Sequence, residues 1–302
     1  LIMEDNLDFI DINIDSGVCT ITMNRLEKKN AINPQFAIEL CNAWDIIDSD
    51  DEVRVAVLKS ADSRIFSAGA DLKELIPLLK GKIKPSNEYE KKLLSGDFLL
   101  KTWRKDKVRT KPLIGVASGY CLAGGFELLL CCDFRLVEEN TSIGFPETGI
   151  GLLPIAGGVS RIGHEVPRPK ALEILFNSAN IDVHELKNLG VVNDIFKTDE
   201  MENTLQKYID KIISSTPESV EVLMKNIDKR GRDFENNISY DYINALNEIY
   251  TEYFFRYNDT PLVIINTNNI DFVNNADDLD QVIEYIRQPV SGTKFFNPSA
   301  SV

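Results

Sequence analysis

The sequence predicts an α/β protein built as a stack of strand–strand–helix turns, and three observations carry that reading. Apolar runs with β-branched residues alternate along the chain with stretches of helical spacing. Twice a tight loop of small residues separates a strand pattern from a helix pattern, at FSAGADLKEL (66–75) and within VASGYCLAGGFELLLCCDFRLV (116–137). The second of these closes on another strand, so the plan strand, loop, helix, strand recurs.

In chain order, DFIDINIDSGVCTITMN (8–24) alternates apolar and polar residues around Asp15-Ser16-Gly17, a strand–turn–strand signal. NRLEKKNAIN (24–33) is a polar loop, and Pro34 suits the first turn of a helix through QFAIELCNAWDIID. VRVAVLKS (53–60) is a strand that leads into the 66–71 loop. Residues 76–110 are charged and helical in tendency. After TSIGFPETGIGLLP, the glycine turn IAGGVSRIG reads as a helix start, and 169–196 gives two helices and a strand.

Composition narrows the function. A chain of 302 residues, 43% hydrophobic and 26% charged, can bury a sizeable core in one or two domains. A formal charge of −14 argues against nonspecific binding to nucleic acid or to an anionic membrane. Five cysteines, with Cys131 and Cys132 adjacent in an apolar run, form neither a disulfide framework nor a metal-ligand spacing. Buried free thiols in a reducing, cytoplasmic setting are the expectation. With only His164 and His184, a Ser-His-Asp hydrolase or a histidine-rich metal site is disfavoured. There is no signal-peptide pattern and no run near twenty apolar residues. The chain opens at Leu1 rather than methionine, which leaves room for residues upstream.

The chemistry concentrates between Lys111 and Pro154, where an apolar run holds two carboxylates and a glycine pair. Glu127 follows Gly124-Gly125 after one residue, and Glu147 follows Phe145-Pro146. A helix opening at Ala123-Gly124-Gly125 presents free N–H groups and the positive end of its dipole. Two small-residue loops that each open a helix can aim one N–H apiece at a single oxygen. Such a pair is an oxyanion hole, with two glutamates at hand for proton transfer. Taken singly, each glutamate also fits a plain first-turn helix acid, and Asp71 fits a capping residue.

From about Asp8 to about Glu218 the chain resembles the crotonase superfamily, the enoyl-CoA hydratase/isomerase enzymes. The matching pieces are MNRLEKKNAIN, RIFSAGADLKEL, GYCLAGGFELLLCCDFRLV, SIGFPETGIGLLPIAGG and KALEILFNSANIDVHELKNLGVVNDIF, in order and at family-like spacing. The resemblance implies a crotonase-like ββα superhelix core over 1–218 and a coenzyme A thioester as substrate. It also implies a homo-oligomer, a trimer or a dimer of trimers, and a reaction that needs neither metal nor separate cofactor. Carried over by position, Ala70 and Gly124 donate the oxyanion N–H groups, and Glu127 and Glu147 are the catalytic glutamates, Glu127 as the base that activates water and Glu147 as the group that exchanges the α-carbon proton. Ala31, Ala68, Asp71, Leu72 and Lys73 match segments that line the coenzyme A channel. Retention of both glutamates points to a hydratase acting on a trans-2-enoyl-CoA. An isomerase or a 3-hydroxyacyl-CoA dehydratase of the same fold is the alternative. Leu26, where the family more often has proline, and Ile155, in a turn usually rich in glycine, are departures in loop positions.

Past about Thr216 the expected ending gives way to a different text. Residues 219–302 resemble the C-terminal quarter of bacterial deoxynucleoside kinases. The matching parts are KRGRDFE (229–235), an aromatic helix, the strand PLVIINT (261–267), and the IDFVNN and GTKFFNP endings. By that resemblance Arg230 and Arg232 belong to a phosphate-contacting lid. The pattern itself reads as a basic turn, then an amphipathic helix with Tyr240, Tyr242, Leu246, Tyr250 and Phe254 near one side, then a buried strand. No G-x-x-x-x-G-K-[ST] loop occurs anywhere in the chain, so this tail is a kinase-like fragment without a phosphate cradle, and kinase activity is not expected. Two arrangements fit the join near STPESVEVLMKN: a fusion whose tail docks as a scaffold, or a recombined frame. A hybrid that binds acyl-CoA without turning it over is the reading from outside catalysis.

Overall fold

A computed structural model describes residues 7–150, 152–176, 181–231, 261–265, 275–288 and 292–296. The chain divides into two units, Leu1–Asp233 and Phe234–Val302.

The first unit starts with the expected hairpin, β1 (Ile10–Asp15) antiparallel to β2 (Val18–Met23). Its two turn residues, Ser16 and Gly17, sit at φ 50° and 84°, the backbone twist that a two-residue hairpin loop requires. Helix α1 (Pro34–Ser49) has Pro34 in its first turn, and the Asn33 side chain accepts from Phe36 N at 2.9 Å. Phe36, Ala37, Leu40, Trp44 and Ile47 recur at helical spacing and are buried. Strand β3 (Val55–Ser60) pairs in parallel with β2, and its first four residues are buried.

From β3 onward each turn of the chain lays one strand in each of two sheets. The larger sheet runs β1-β2-β3-β5-β7-β9, with β5 at Leu113–Ala117, β7 at Phe134–Glu138 and β9 at Asp194–Phe196. The smaller holds β4 (Ile65–Ser67), β6 (Tyr120–Leu122) and β8 (Ser142–Gly144), all parallel. A helical segment follows each pair: α2 (Leu75–Leu79) after β3–β4, and α5 (Gly124–Leu129) after β5–β6. After β7–β8 come a 3-10 turn (Pro146–Ile150) and α6 (Gly158–Glu165). This is the ββα superhelix expected from the sequence. The 76–110 stretch adds two more short helices, α3 (Glu88–Leu93) and α4 (Phe98–Thr102), which pack on α1.

One close approach ties the two halves of the later site together. A Cβ built on Gly125 would stand 2.4 Å from Ser67 O, so α5 leans on β4 at a distance that only glycine allows. Gly125→Ala is therefore expected to destabilise the unit by about 1–3 kcal/mol through overpacking, read as a drop of several degrees in a thermal melt. An unchanged melting temperature would show that β4 yields without cost.

The remaining helices are α7 (Arg168–Phe176), α8 (Val183–Asn188), α9 (Met201–Ile213) and α10 (Pro217–Gly231). Leu205, Ile209 and Ile212 of α9 cover Val57, Ile114 and Leu136 on the outer face of the large sheet. Helix α10 runs without a break through the position expected to join the two segments, 218–219. It also holds residues 229–231, so the start of KRGRDFE is helical where a basic turn was expected. Arg232 and the helix expected around Tyr240, Tyr242, Leu246, Tyr250 and Phe254 lie outside the described residues.

In the second unit, β10 (Leu262–Ile265) falls within the predicted strand PLVIINT and pairs in parallel with β11 (Thr293–Phe296). Helix α11 (Ala276–Arg287) connects them, and Tyr285 stacks on Phe296 at 4.0 Å between ring centroids. No helix among the described residues is long and apolar enough to cross a membrane.

Candidate active site

The two small-residue loops meet backbone to backbone. Gly69 holds φ 93°, and a Cβ there would come within 2.8 Å of both Ala123 Cβ and Gly124 N. A Cβ on Gly124 would in turn stand 3.2 Å from Ala70 N. Ala123 enters α5 at φ 54° and ψ −130°, a positive-φ backbone unusual for a residue with a side chain. Neither the Ala70 nor the Gly124 N–H is taken by a backbone carbonyl among the described residues. Both residues line one cavity of about 620 Å³.

The loop that carries Ala70 is braced by the polar segment after β2. Ala68 N donates to Lys29 O at 3.0 Å, Ile32 N to Gly69 O at 2.7 Å, and Asp71 N to Ile32 O at 2.9 Å. Buried Asn30 donates to Ser60 Oγ and Phe66 O, while its carbonyl accepts from Ser67 Oγ. Arg25, only 3% exposed, reaches Asp71 at 2.9 Å, Glu74 at 3.1 Å and Ala31 O at 2.7 Å. Burial works to raise the Asp71 pKa, but the Arg25 guanidinium and the N–H groups of Lys73 and Glu74 outweigh it and hold the carboxyl below its usual range. Asp71 thus closes a turn, and α2 opens only at Leu75. A helix does follow the loop, Asp71 accepts as a capping residue would, and the brace from the Lys29–Ile32 segment holds the backbone on either side of Ala70.

The two glutamates share the cavity with the two donors. Glu127 lies in the first turn of α5 and is 3% exposed. Its Oε1 accepts from Gly158 N at 2.8 Å, and the Ala156 N–H also bonds the carboxyl. Burial pushes its pKa up to about 7; the charge of Glu147 adds to the rise, while the two N–H groups and the Arg161 charge oppose it. Glu147 lies in the 3-10 turn after β8, 7% exposed, and its Oε2 is buried with no hydrogen-bond partner among the described residues. Burial raises its pKa too, offset in part by its own N–H. The arrangement can hold an oxyanion at two N–H groups and exchange protons at two carboxyls tuned toward neutral pH.

Of the residues expected to contact substrate, Ala68 and Leu72 line the cavity, Leu72 at 58% exposure. Ala31, Asp71 and Lys73 do not: Ala31 offers its carbonyl to Arg25, Asp71 pairs with Arg25, and Lys73 is exposed. Ile155, the departure noted in the glycine turn, lies on the cavity rim at 76% exposure. Residues that the sequence reading missed include the apolar wall from α2 and α4, among them Leu75, Leu79, Leu99 and Trp103. It also missed the Ala156–Gly158 turn as the grip on Glu127. The signal for that turn was present, since Gly157-Gly158 opens a helix just as Gly124-Gly125 does, and an N-terminus with free N–H groups favours a carboxylate.

The enoyl-CoA hydratase/isomerase family model matches residues 13–253, most of the chain. The chain belongs to the enoyl-CoA hydratase/isomerase family. That bears out the expectation of an enzyme and of the crotonase-like fold. The match continues past 218 into the segment compared above with kinases. The short-chain-enoyl-CoA hydratase of Clostridium acetobutylicum is 30% identical over 215 residues, 71% of this chain and 79% of that protein. A probable mitochondrial enoyl-CoA hydratase 2 of Arabidopsis thaliana is 31% identical over 215 residues, 71% of this chain and 68% of that protein. Among solved structures, an enoyl-CoA hydratase from Mycobacterium tuberculosis superposes with a TM-score of 0.62 at 26% identity, covering 75% of this chain and 91% of that one.

Proposed function

We propose that the chain adds water across the double bond of a trans-2-enoyl-CoA, giving the 3-hydroxyacyl-CoA. Its family membership and its hydratase relatives support a hydro-lyase. The observation that carries the reading is the convergence of Ala70, Gly124, Glu127 and Glu147 on one cavity.

Attack of water at the β-carbon drives negative charge onto the thioester oxygen. The Ala70 and Gly124 N–H groups, fixed by the brace and by the opening of α5, receive that charge without rearranging, and one such donor typically contributes about 3–4 kcal/mol of barrier lowering. Glu127, gripped by two N–H donors that favour its charged form, takes the proton from water. Glu147, with an unpartnered buried oxygen that favours the neutral form, supplies the proton to the α-carbon. Both roles can run through the one water between the carboxyls. The acyl chain lies along the apolar wall of α2 and α4, and nothing beyond the coenzyme A of the substrate is needed. The exposed Val222, Leu223 and Ile227 of α10 and the exposed Leu153 and Phe176 support assembly into a homo-oligomer, a trimer or a dimer of trimers. The kinase resemblance of the tail stands beside this as a separate proposal, supported by the strand–helix–strand of the second unit.

The test is loss of the conjugated enoyl absorbance with crotonyl-CoA, on protein whose mass is read by light scattering in the same buffer. Turnover is expected, with kcat/KM falling as pH drops through about 7, where Glu127 gains its proton and can no longer act as base. Binding of acyl-CoA without turnover would select the hybrid reading instead, and a monomeric mass would remove the assembly.

A further inference from the structure

The turn that grips Glu127 is itself held from the other side. Arg161, on α6, donates through Nη1 to Ala156 O at 3.5 Å and through Nη2 to Trp103 O at 2.8 Å. A Cβ on Gly157 would fall 2.1 Å from Nη1, so the tip of the guanidinium comes up against the middle residue of that turn. Gly157 holds φ 131°, a conformation that suits glycine and leaves the space free. The two residues that flank it, Ala156 and Gly158, supply the N–H groups on the Glu127 carboxyl. Trp103 closes α4, lines the cavity, and its carbonyl also accepts from Cys131 Sγ at 3.1 Å. Arg161 therefore bridges the wall of the cavity and the grip on one glutamate, with no carboxylate of its own within ion-pair reach among the described residues.

We propose that Arg161 is a positioning residue for Glu127: it fixes the 156–158 turn that grips the carboxyl and directs its positive charge at it. The inference rests on the hydratase reading for its kinetic consequence, while the hold on the turn stands on the bonds to Ala156 O and Trp103 O and the contact with Gly157. The other charged or titratable groups around Glu127 are Glu147 from the 3-10 turn and Cys131, whose thiol donates to the Glu127 carbonyl. Lys80 and Lys105 border the same cavity. Arg161 is the cation whose attraction opposes the rise of the Glu127 pKa. Without it the carboxyl holds its proton to higher pH.

The test is an isotope-edited infrared titration of the Glu127 carboxyl, assigned by its loss in Glu127→Gln, in the parent protein, Arg161→Gln and Arg161→Lys. The midpoint is expected to move to higher pH in Arg161→Gln and to stay near the parent value in Arg161→Lys, since lysine keeps the charge. With crotonyl-CoA, the acid limb of kcat should move by the same amount while KM changes little. A parental midpoint in folded Arg161→Gln, or an equal displacement in Arg161→Lys, would overturn the proposal and leave the arginine a packing residue. Should Arg161→Gln fail to fold, Arg161→Met keeps the aliphatic stem and is read in its place. An inactive parent protein would remove the hydratase reading and leave the titration standing as the test.

Discussion

Glu147→Gln is expected to lower kcat for enoyl-CoA hydration by about 10³-fold or more while acyl-CoA binding stays within a few-fold of the parent. The substitution preserves shape and places an amide where a proton must be given to the α-carbon. Glu147 suits that role because burial favours its neutral form and one of its oxygens has no internal partner to satisfy. It is also the neighbour whose charge helps to raise the Glu127 pKa. That charge is absent from the active form, which carries Glu147 neutral, so the acid limb of any residual activity in Glu147→Gln should stay near the parent's. The measurements are the enoyl absorbance assay across pH and calorimetric titration with a saturated acyl-CoA. Undiminished turnover would sink the two-glutamate assignment. Lost binding with turnover intact per bound substrate would make Glu147 a wall of the pocket rather than a proton donor.

The parts of the fold that were legible in the sequence are those whose cause is local. The Ser16-Gly17 hairpin, the Asn33-Pro34 start of α1, and the apolar strands each follow from a few adjacent residues, and the structure has them where expected. The four residues expected at the site, Ala70, Gly124, Glu127 and Glu147, were legible because glycines and carboxyls stand out in an apolar run, and they line one cavity. What could not be read was how the pieces brace one another. Arg25 reads as one more polar loop residue until the fold sets it, nearly buried, against Asp71, forty-six positions on. FSAGADLKEL looks like a helix start, and Asp71 does cap the turn at the N–H groups of Lys73 and Glu74 ahead of α2, but its pairing with Arg25 across the fold cannot be read from that stretch. Arg161 and Trp103 are fifty-eight residues apart, and no periodicity links them. Long-range side-chain to backbone bonds of this kind leave no spacing in the sequence, because only one of the two partners is chosen by its side chain.

Gly124→Pro should cost about 10²–10³-fold in kcat, the effect of removing one oxyanion donor. Proline is tolerated in the first turn of a helix, so α5 can persist while the N–H disappears. Crowding is the competing explanation, because a Cβ at 124 stands 3.2 Å from Ala70 N, beside the second donor. Gly124→Ala separates the two effects: it adds the same Cβ and keeps the N–H. If the donor matters most, the alanine variant retains far more kcat than the proline variant at similar KM. If crowding of Ala70 dominates, the two variants fall together. A loss confined to KM in both would mean that the loop only places the thioester, and that the oxyanion is stabilised elsewhere. The comparison is decisive because the parent geometry leaves little slack. Gly69 already brings its own backbone against Ala123 and Gly124, so neither loop can retreat to make room for a ring.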